Sequence, residues 1–458
     1  MEKMFSVSTL AAAVLSAVVA APAMSQDTTS DYAENVSPFF ADSTINGNLN
    51  IWTRARDRGN YDKNGEKETN LDHGSIFTNL AFNSGYAADV VGLDLMAFAT
   101  FDMWQNGSPD HEMNFWGVNN PYDKVPDDSQ CSGAWEEDCT DNGVSLATAA
   151  AKFKFGDTAT AKLGYFQPSV PSTIGINWSF APGTHLGGEL GLNFDQLNVG
   201  LVVSERYKAP WFKETYEFQT TNGEDAGTAY SLGARYELDN GISLDTAYGA
   251  LSDGDRWNAH LKVKGTTEGG VYWSPQLYVV DDDEQYDSTA FQLAMLTSMS
   301  SGQYSYRAEA TYTEADSGDP AVVQNLAYRL TSQYGGSNGT YDIWWNNRSD
   351  FNHDEELAVF GSLSRDFSDI GATGFSAGLS GAYGFGSSAQ GYEDLTEYSY
   401  SLFADYAIQA GALKDAKVSF YFTQYFNDTD VGNWAPYTNL FQDEDDFKLT
   451  LAIPFSIK

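Results

Sequence analysis

Three arginines, Arg54, Arg56 and Arg58, recur at every second residue, a spacing that puts their guanidinium groups on one side of an extended chain. Lys152 and Lys154 repeat that spacing, as do Lys262 and Lys264, while Lys162, Arg235 and Arg307 fall in the same phase of other alternating segments. In a chain with only 25 Lys and Arg among 458 residues, this is a concentration. Cations fixed in a row can hand the carboxylate, hydroxyl or carbonyl groups of a solute from one to the next through weak contacts. They can equally be neutralised within the protein, since Asp94, Asp102, Asp245, Glu237 and Glu309 share their faces. Trp52, two positions before Arg54, offers a ring on which a sugar could stack, or else acts as a filler or interface aromatic.

Covalent chemistry has little to stand on. The five histidines, His73, His111, His185, His260 and His353, form no HExxH pair, and CxxC pairs, GxSxG elbows and phosphate-binding glycine loops are absent from the sequence. Asp72-His73 and Asp110-His111 would suit a hydrolase or protease at a loop rim, but adjacent residues of an extended chain point in opposite directions, so a shared site needs help from elsewhere. No catalytic residue, metal or cofactor is expected. Acidic runs at Asp127-Asp128, Glu136 to Asp138, Asp281 to Glu284 and Asp443 to Asp446 could hold calcium or the ions that bridge lipopolysaccharide. They lack the ordered spacing of an EF-hand loop and read as solvated surface outside a membrane, giving a mouth that favours cations. The formal charge of −38 argues against a nucleic-acid partner.

These side chains need strands to position them. Ile45, Gly47, Leu49, Ile51, Thr53 and Ala55 alternate with Asn46, Asn48, Asn50, Trp52 and the arginines. The pattern returns in Val91, Leu93, Leu95, Ala97, Ala99 and Phe101, and again at the end in Phe447, Leu449, Leu451, Ile453, Phe455 and Ile457. A soluble sandwich would bury such faces between sheets. Here tight turns such as Ser84 to Ala87, Gly156 to Thr158, Asp239 to Gly241 and Ser301-Gly302 alternate with long polar segments such as Gln105 to Gly143 and Asn427 to Asp445. No run after the first 25 residues approaches the roughly 18 apolar residues of a transmembrane helix. Two-faced strands with unequal connections predict an all-β fold, a transmembrane antiparallel barrel with short periplasmic turns and long extracellular loops. A literal hairpin count gives 20 strands, or 18 if the doubtful pair between Val322 and Trp345 is one long loop.

Export fits this reading. Glu2 and Lys3 precede the apolar stretch Phe5 to Ala20, and Ala23-Met24-Ser25 supplies small residues for cleavage before Gln26. Residues 1–25 are therefore expected to be a signal peptide and 26–458 the barrel; an amino-terminal anchor is the alternative, though the stretch is short and Pro22 follows it. In an oxidising compartment Cys131 and Cys139 are expected to form a local disulfide, with two loop thiols as the alternative.

Phe166 to Leu190, FQPSVPSTIGINWSFAPGTHLGGEL, and ERYKAPWF from Glu205 resemble the inward-folding third loop and following strands of OprD-type outer-membrane porins, most of all the chitoporin-like branch. NSGYAADVVGLDL from Asn83, SDFNHDEELAVFGSLSRDFSDIGATGFSAGLSGAYGFG from Ser349 and QAGALKDAKVSF from Gln409 extend the resemblance along the chain. It implies 18 strands and a narrow pore pinched by a constriction loop at about 166–188 and a second long loop at about 316–354. It places Pro171, Asn177, Trp178 and Pro182 in the constriction and sets the basic residues above as a ladder on one side. It also implies selective passive diffusion, with basic amino acids, aromatic carboxylates and chitin oligosaccharides among the cargo classes. Ser179-Phe180 stands where a polar or basic stretch would suit amino acids, and the chain ends Ile457-Lys458 rather than in an aromatic residue. The expectation is a cofactor-free outer-membrane porin, not an enzyme, that passes chitooligosaccharides by contact with lumen Arg and Asn side chains and with Trp52 or Trp178. The alternatives are amino-acid or aromatic-acid uptake and a plugged, surface-binding barrel serving as adhesin or phage receptor. Its partners are small solutes, outer-membrane lipid and lipopolysaccharide, as a monomer or a homotrimer.

Overall fold

The computed structural model describes residues 37–58, 69–107, 143–210, 215–317, 324–331, 339–389, 392–427 and 443–458. The expected signal peptide, the Cys131 and Cys139 pair, Asp110-His111 and the acidic runs between Asp127 and Asp138 lie outside the described residues, as do the side chains of Arg58, Asp72, His73 and Asp102.

Each alternating segment is a strand. In chain order these are β1 (Thr44–Arg58), β2 (Thr69–Asn83), β3 (Val91–Gly107), β4 (Gly143–Phe155), β5 (Ala159–Phe166), β6 (Thr184–Phe194), β7 (Leu197–Lys208), β8 (Tyr216–Glu217), β9 (Ala229–Glu237) and β10 (Ser243–Leu251). They continue as β11 (Trp257–Thr266), β12 (Tyr272–Asp281), β13 (Ala290–Ser301), β14 (Tyr304–Glu314), β15 (Leu357–Asp366), β16 (Phe375–Ala389), β17 (Tyr392–Ala407), β18 (Lys417–Asn427) and β19 (Glu444–Ser456). Neighbours pair antiparallel throughout, and β1 pairs both with β2 and with β19, from Asn46 opposite Ser456 to Arg58 opposite Glu444. Because β7 pairs directly with β9, the two-residue β8 lies outside the ring, and 18 strands close the barrel. Closure leaves no strand edge to hydrocarbon, where unpaired peptide groups cost several kcal/mol each.

The burial pattern is the reverse of a soluble protein's. Leu232, Leu261, Leu293, Leu363, Leu379 and Leu402 are exposed, whereas Arg54, Arg56, Lys262, Gln276, Gln292 and Ser401 are buried. Such a surface suits lipid, not water. Among the described residues no helix is long and apolar enough to cross a membrane; the strands do so.

Short turns and the outer ends of β1 and β19 share one rim. Gly241 and Gly302 take the positive φ values of 79° and 59° that tight reversals need. The other rim carries the long connections, of which the third, L3 (167–183), and the seventh, L7 (315–356), fold inward. The doubtful hairpin between Val322 and Trp345 belongs to L7: its described residues form no strand, so the literal count of 20 gives way to 18.

Candidate functional site

L3 enters along a wall cleared for it. Gly200 and Gly233 sit opposite each other on β7 and β9, and a Cβ on either would overlap the Pro171 backbone. Gly249 on β10 likewise gives way to the Thr173 side chain. The Thr173 N–H donates to Ser231 Oγ at 2.8 Å, and the Asn177 N–H donates to Tyr207 Oη at 2.8 Å. Tyr207 itself packs at 4.7 Å against His185, whose ring nitrogens meet Ser204 Oγ and Gly175 O. On its return L3 sets Phe180 against Trp52 at 5.3 Å and against Phe77 at 5.5 Å. Trp52 is 6% exposed and fills the space between wall and loop. It therefore presents no open ring to a solute.

L7 covers the remaining wall. Arg256 anchors its start by donating to Arg329 O and Ala327 O, each at 2.7 Å, while pairing with Asp282 at 2.6 Å. Farther on, Asp342 takes Lys262 at 3.1 Å and Lys264 at 2.6 Å, both from the inner face of β11. Burial works to raise the Asp342 pKa, but those two ammonium groups hold its carboxyl below the ordinary carboxylate value. Trp345 stacks on Phe360 at 5.2 Å and donates to Glu309 at 2.8 Å. Arg348 then reaches Glu444 and Asp446 on β19. The two loops join at an antiparallel bridge of Ile174 with Gly339, where Thr340 donates from N to Thr173 O and from Oγ1 to Ser172 O. Together they line the barrel from β1 round to β19.

Of the basic residues singled out in the sequence, those with described side chains are held by carboxylates. Arg54 binds Asp446 in a two-pronged contact of 2.8 and 2.9 Å, and Arg56 donates to Glu444 at 3.1 Å. Lys152 pairs with Asp94, Lys154 with Asp89, Lys162 with Glu189, Arg235 with Asp245 and Arg307 with Glu309. The pairings of Asp94, Asp245 and Glu309 are among those the alternation allowed. Glu444 and Asp446 correct the reading of Asp443 to Asp446 as outlying surface: both are on β19, buried, facing the arginines. Asp282 is likewise buried in its pair with Arg256 rather than solvated.

Sequence reasoning missed three cations. Arg348 and Lys448 join Arg54 and Arg56 around Glu444 and Asp446 in one network of charge spanning β1, L7 and β19. Arg348 lies three residues beyond the doubtful hairpin, in a segment with no strand alternation to assign it a face. Lys208 is buried, donates to Ser145 Oγ and Leu146 O, lies over the Phe98 ring, and has no carboxylate at salt-bridge distance among the described residues. Its position in ERYKAPWF was the available signal.

Among the described tryptophans of L3 and L7, two are open. Trp178 on L3 is 68% exposed and Trp344 on L7 is 75% exposed. Their chain neighbours are tied to the wall: Asn177 through Tyr207, Ala181 by burial, Ile343 and Trp345 by packing, and the Trp344 carbonyl through Arg307 at 2.9 Å. Both indoles therefore project from loops inside the barrel toward its water-filled passage. A wall of polar and charged side chains beside open aromatic faces can hold polar groups at their edges and apolar faces flat, each weakly enough to release.

The profile of the family described as outer membrane porin, OprD family, matches residues 37–457. A chitoporin of Escherichia coli (strain K12) is 36% identical over 449 residues, covering 92% of each chain. Among solved structures, Pseudomonas aeruginosa OccK9 (OpdG) superposes with a TM-score of 0.71 at 16% identity, covering 92% of this chain and all of that one. Pseudomonas aeruginosa OpdK, determined with vanillate, superposes with a TM-score of 0.69 at 16% identity, covering 91% of this chain and all of that one.

Proposed function

The chain belongs to the OprD family of outer-membrane porins, and from that premise we propose that chitooligosaccharides are the preferred cargo of its pore. As a member of this family it is a passive channel of the bacterial outer membrane, not an enzyme, and small solutes diffuse through it. The observation that carries the cargo reading is the pair of open indoles, Trp178 and Trp344, on the two loops that meet in the lumen. A β-linked N-acetylglucosamine chain has an apolar ring face for such indoles. Its acetamide carbonyls and hydroxyls can accept from Lys448, whose side chain is part-exposed at the edge of the β1–β19 charge network, without requiring a free counter-charge. The related chitoporin agrees with this chemistry.

A second reading, aromatic carboxylates or amino acids, is favoured by Lys208, which has no carboxylate at salt-bridge distance among the described residues; the OpdK structure determined with vanillate has the same fold. Single-channel recording in a planar bilayer separates the two. Chitohexaose, arginine and benzoate are titrated in turn against the open current. Concentration-dependent block by the sugar alone is the expected result, whereas block by arginine or benzoate alone would transfer the cargo to the second reading.

A further inference from the structure

One cluster of side chains takes no part in the pore wall. His353 and Glu356 near the end of L7 meet Glu397 of β17, and all three are fully buried. His353 Nδ1 lies 3.1 Å from Glu356 Oε2 and 3.2 Å from Glu397 Oε1, and one ligand atom from each residue falls within 4.8 Å of the others. The surroundings fix these atoms in place: the His353 N–H donates to Glu356 Oε2 at 2.9 Å, and Tyr425 Oη donates to Glu397 Oε2 at 2.6 Å. Glu356 Oε1 is buried and accepts no hydrogen bond. Gly384 on β16 keeps room for that oxygen, since a Cβ there would overlap it.

With both carboxylates ionised the three groups are negative whether the ring is neutral or protonated, and because a buried charge is costly, either a proton shared by Glu356 and Glu397 or a bound cation must balance it. A single Nδ1–H can point well at one oxygen, yet two oxygens stand almost equally close to Nδ1. Donor atoms about 2.0 Å from a tetrahedral metal stand roughly 3.3 Å apart, which matches both separations. The mixed nitrogen and oxygen donors suit zinc or manganese better than calcium or magnesium, which prefer all-oxygen sites. We propose that His353, Glu356 and Glu397 bind one divalent transition metal, zinc foremost, and that this metal staples the end of L7 to the β17 wall. The bound ion neutralises both carboxylates, and the Tyr425 hydroxyl orients Glu397 as outer hydrogen-bond partners of metal ligands do.

The test uses the full chain purified from membranes, stripped with chelator and returned to metal-free buffer. Zinc is titrated in competition with a chromophoric chelator, and cobalt is followed by its visible absorption. One tight equivalent per chain with the spectrum of a low-coordinate nitrogen–oxygen site is expected. His353→Gln and Glu397→Gln should abolish that equivalent, and Tyr425→Phe, which removes only an outer partner, should weaken it roughly 10–100-fold. The acidic loops bind cations loosely, so the comparison between chains decides. Equal binding by the wild type and Tyr425→Phe, or a purely octahedral cobalt spectrum in the wild type, would overturn the site. A wild type that takes up no tight equivalent assigns the charge balance to shared protons and overturns it too. If the two ligand variants fail to fold, the Tyr425→Phe affinity and the wild-type spectrum still decide.

Discussion

A pore selects at single side chains, and here the same type of residue does two different jobs. Trp52 and Trp345 are covered on their faces and hold the loops in place; Trp178 and Trp344 are open. Alternation in the sequence identifies Trp52 as inward-facing but is silent on whether a loop covers it, because the covering residue, Phe180, lies 128 positions away. Replacing Trp178 or Trp344 with alanine should cost about 1 kcal/mol of stacking, and so weaken chitohexaose block roughly fivefold, with little change in open conductance. Unchanged block in both variants would remove the indoles from the cargo path. The arginines predict the opposite behaviour. Arg56→Met strands part of the Glu444 charge in a buried site and should cost about 3–5 kcal/mol, seen as a lower unfolding midpoint in detergent micelles. A midpoint equal to that of the wild type would show that Arg348 alone neutralises Glu444.

At the scale of elements, strands were legible because period-two alternation between lipid and lumen survives in β1, β3 and β19. L7 was not, and the reason is physical. Its described residues run along the inner wall, and where one side meets protein and the other water they take the period of a strand: Ile343 and Trp345 are buried, with Trp344 open between them. Pattern alone cannot distinguish a chain lying on a sheet from a chain within one. What holds L7 there is testable through pH. The Asp342 pKa is depressed, so the carboxylate's link to Lys262 and Lys264 stabilises the docked loop at all pH values above the ordinary carboxylate value. That contribution declines progressively below the ordinary value and is lost as the pH falls through the lower, folded-state value. Steady single-channel currents are expected at neutral pH, with added gating noise appearing only in strong acid, while Asp342→Asn should show that noise at pH 7. Equal noise at both pH values in the wild type would mean that other contacts hold the loop. L3 has a steric counterpart: Gly233→Val drives a side chain into Pro171 and should displace L3, raising conductance and removing sugar block together.

For the whole molecule, two distributions of charge are superposed. The chain has a formal charge of −38, with acidic residues clustered in sequence segments between strands, whereas the described cations of the constriction other than Lys208 are paired with carboxylates. These fields have different reach. Exposed loop charges act over the Debye length, about 30 Å at 0.01 M salt and about 3 Å at 1 M, while groups in the narrow lumen meet an ion at contact and are screened far less. The channel should therefore be cation-selective in dilute salt and lose that preference steadily as salt rises, moving toward neutrality once the mouth is screened and the paired groups of the constriction alone remain. Reversal potentials across a fixed salt gradient, measured at several mean concentrations, give the curve. A cation preference that persists undiminished at 1 M would locate unpaired carboxylates inside the constriction, contrary to the ion pairs seen there. In that case a neutral sugar would lose its advantage over a cationic amino acid at the narrowest point of the pore.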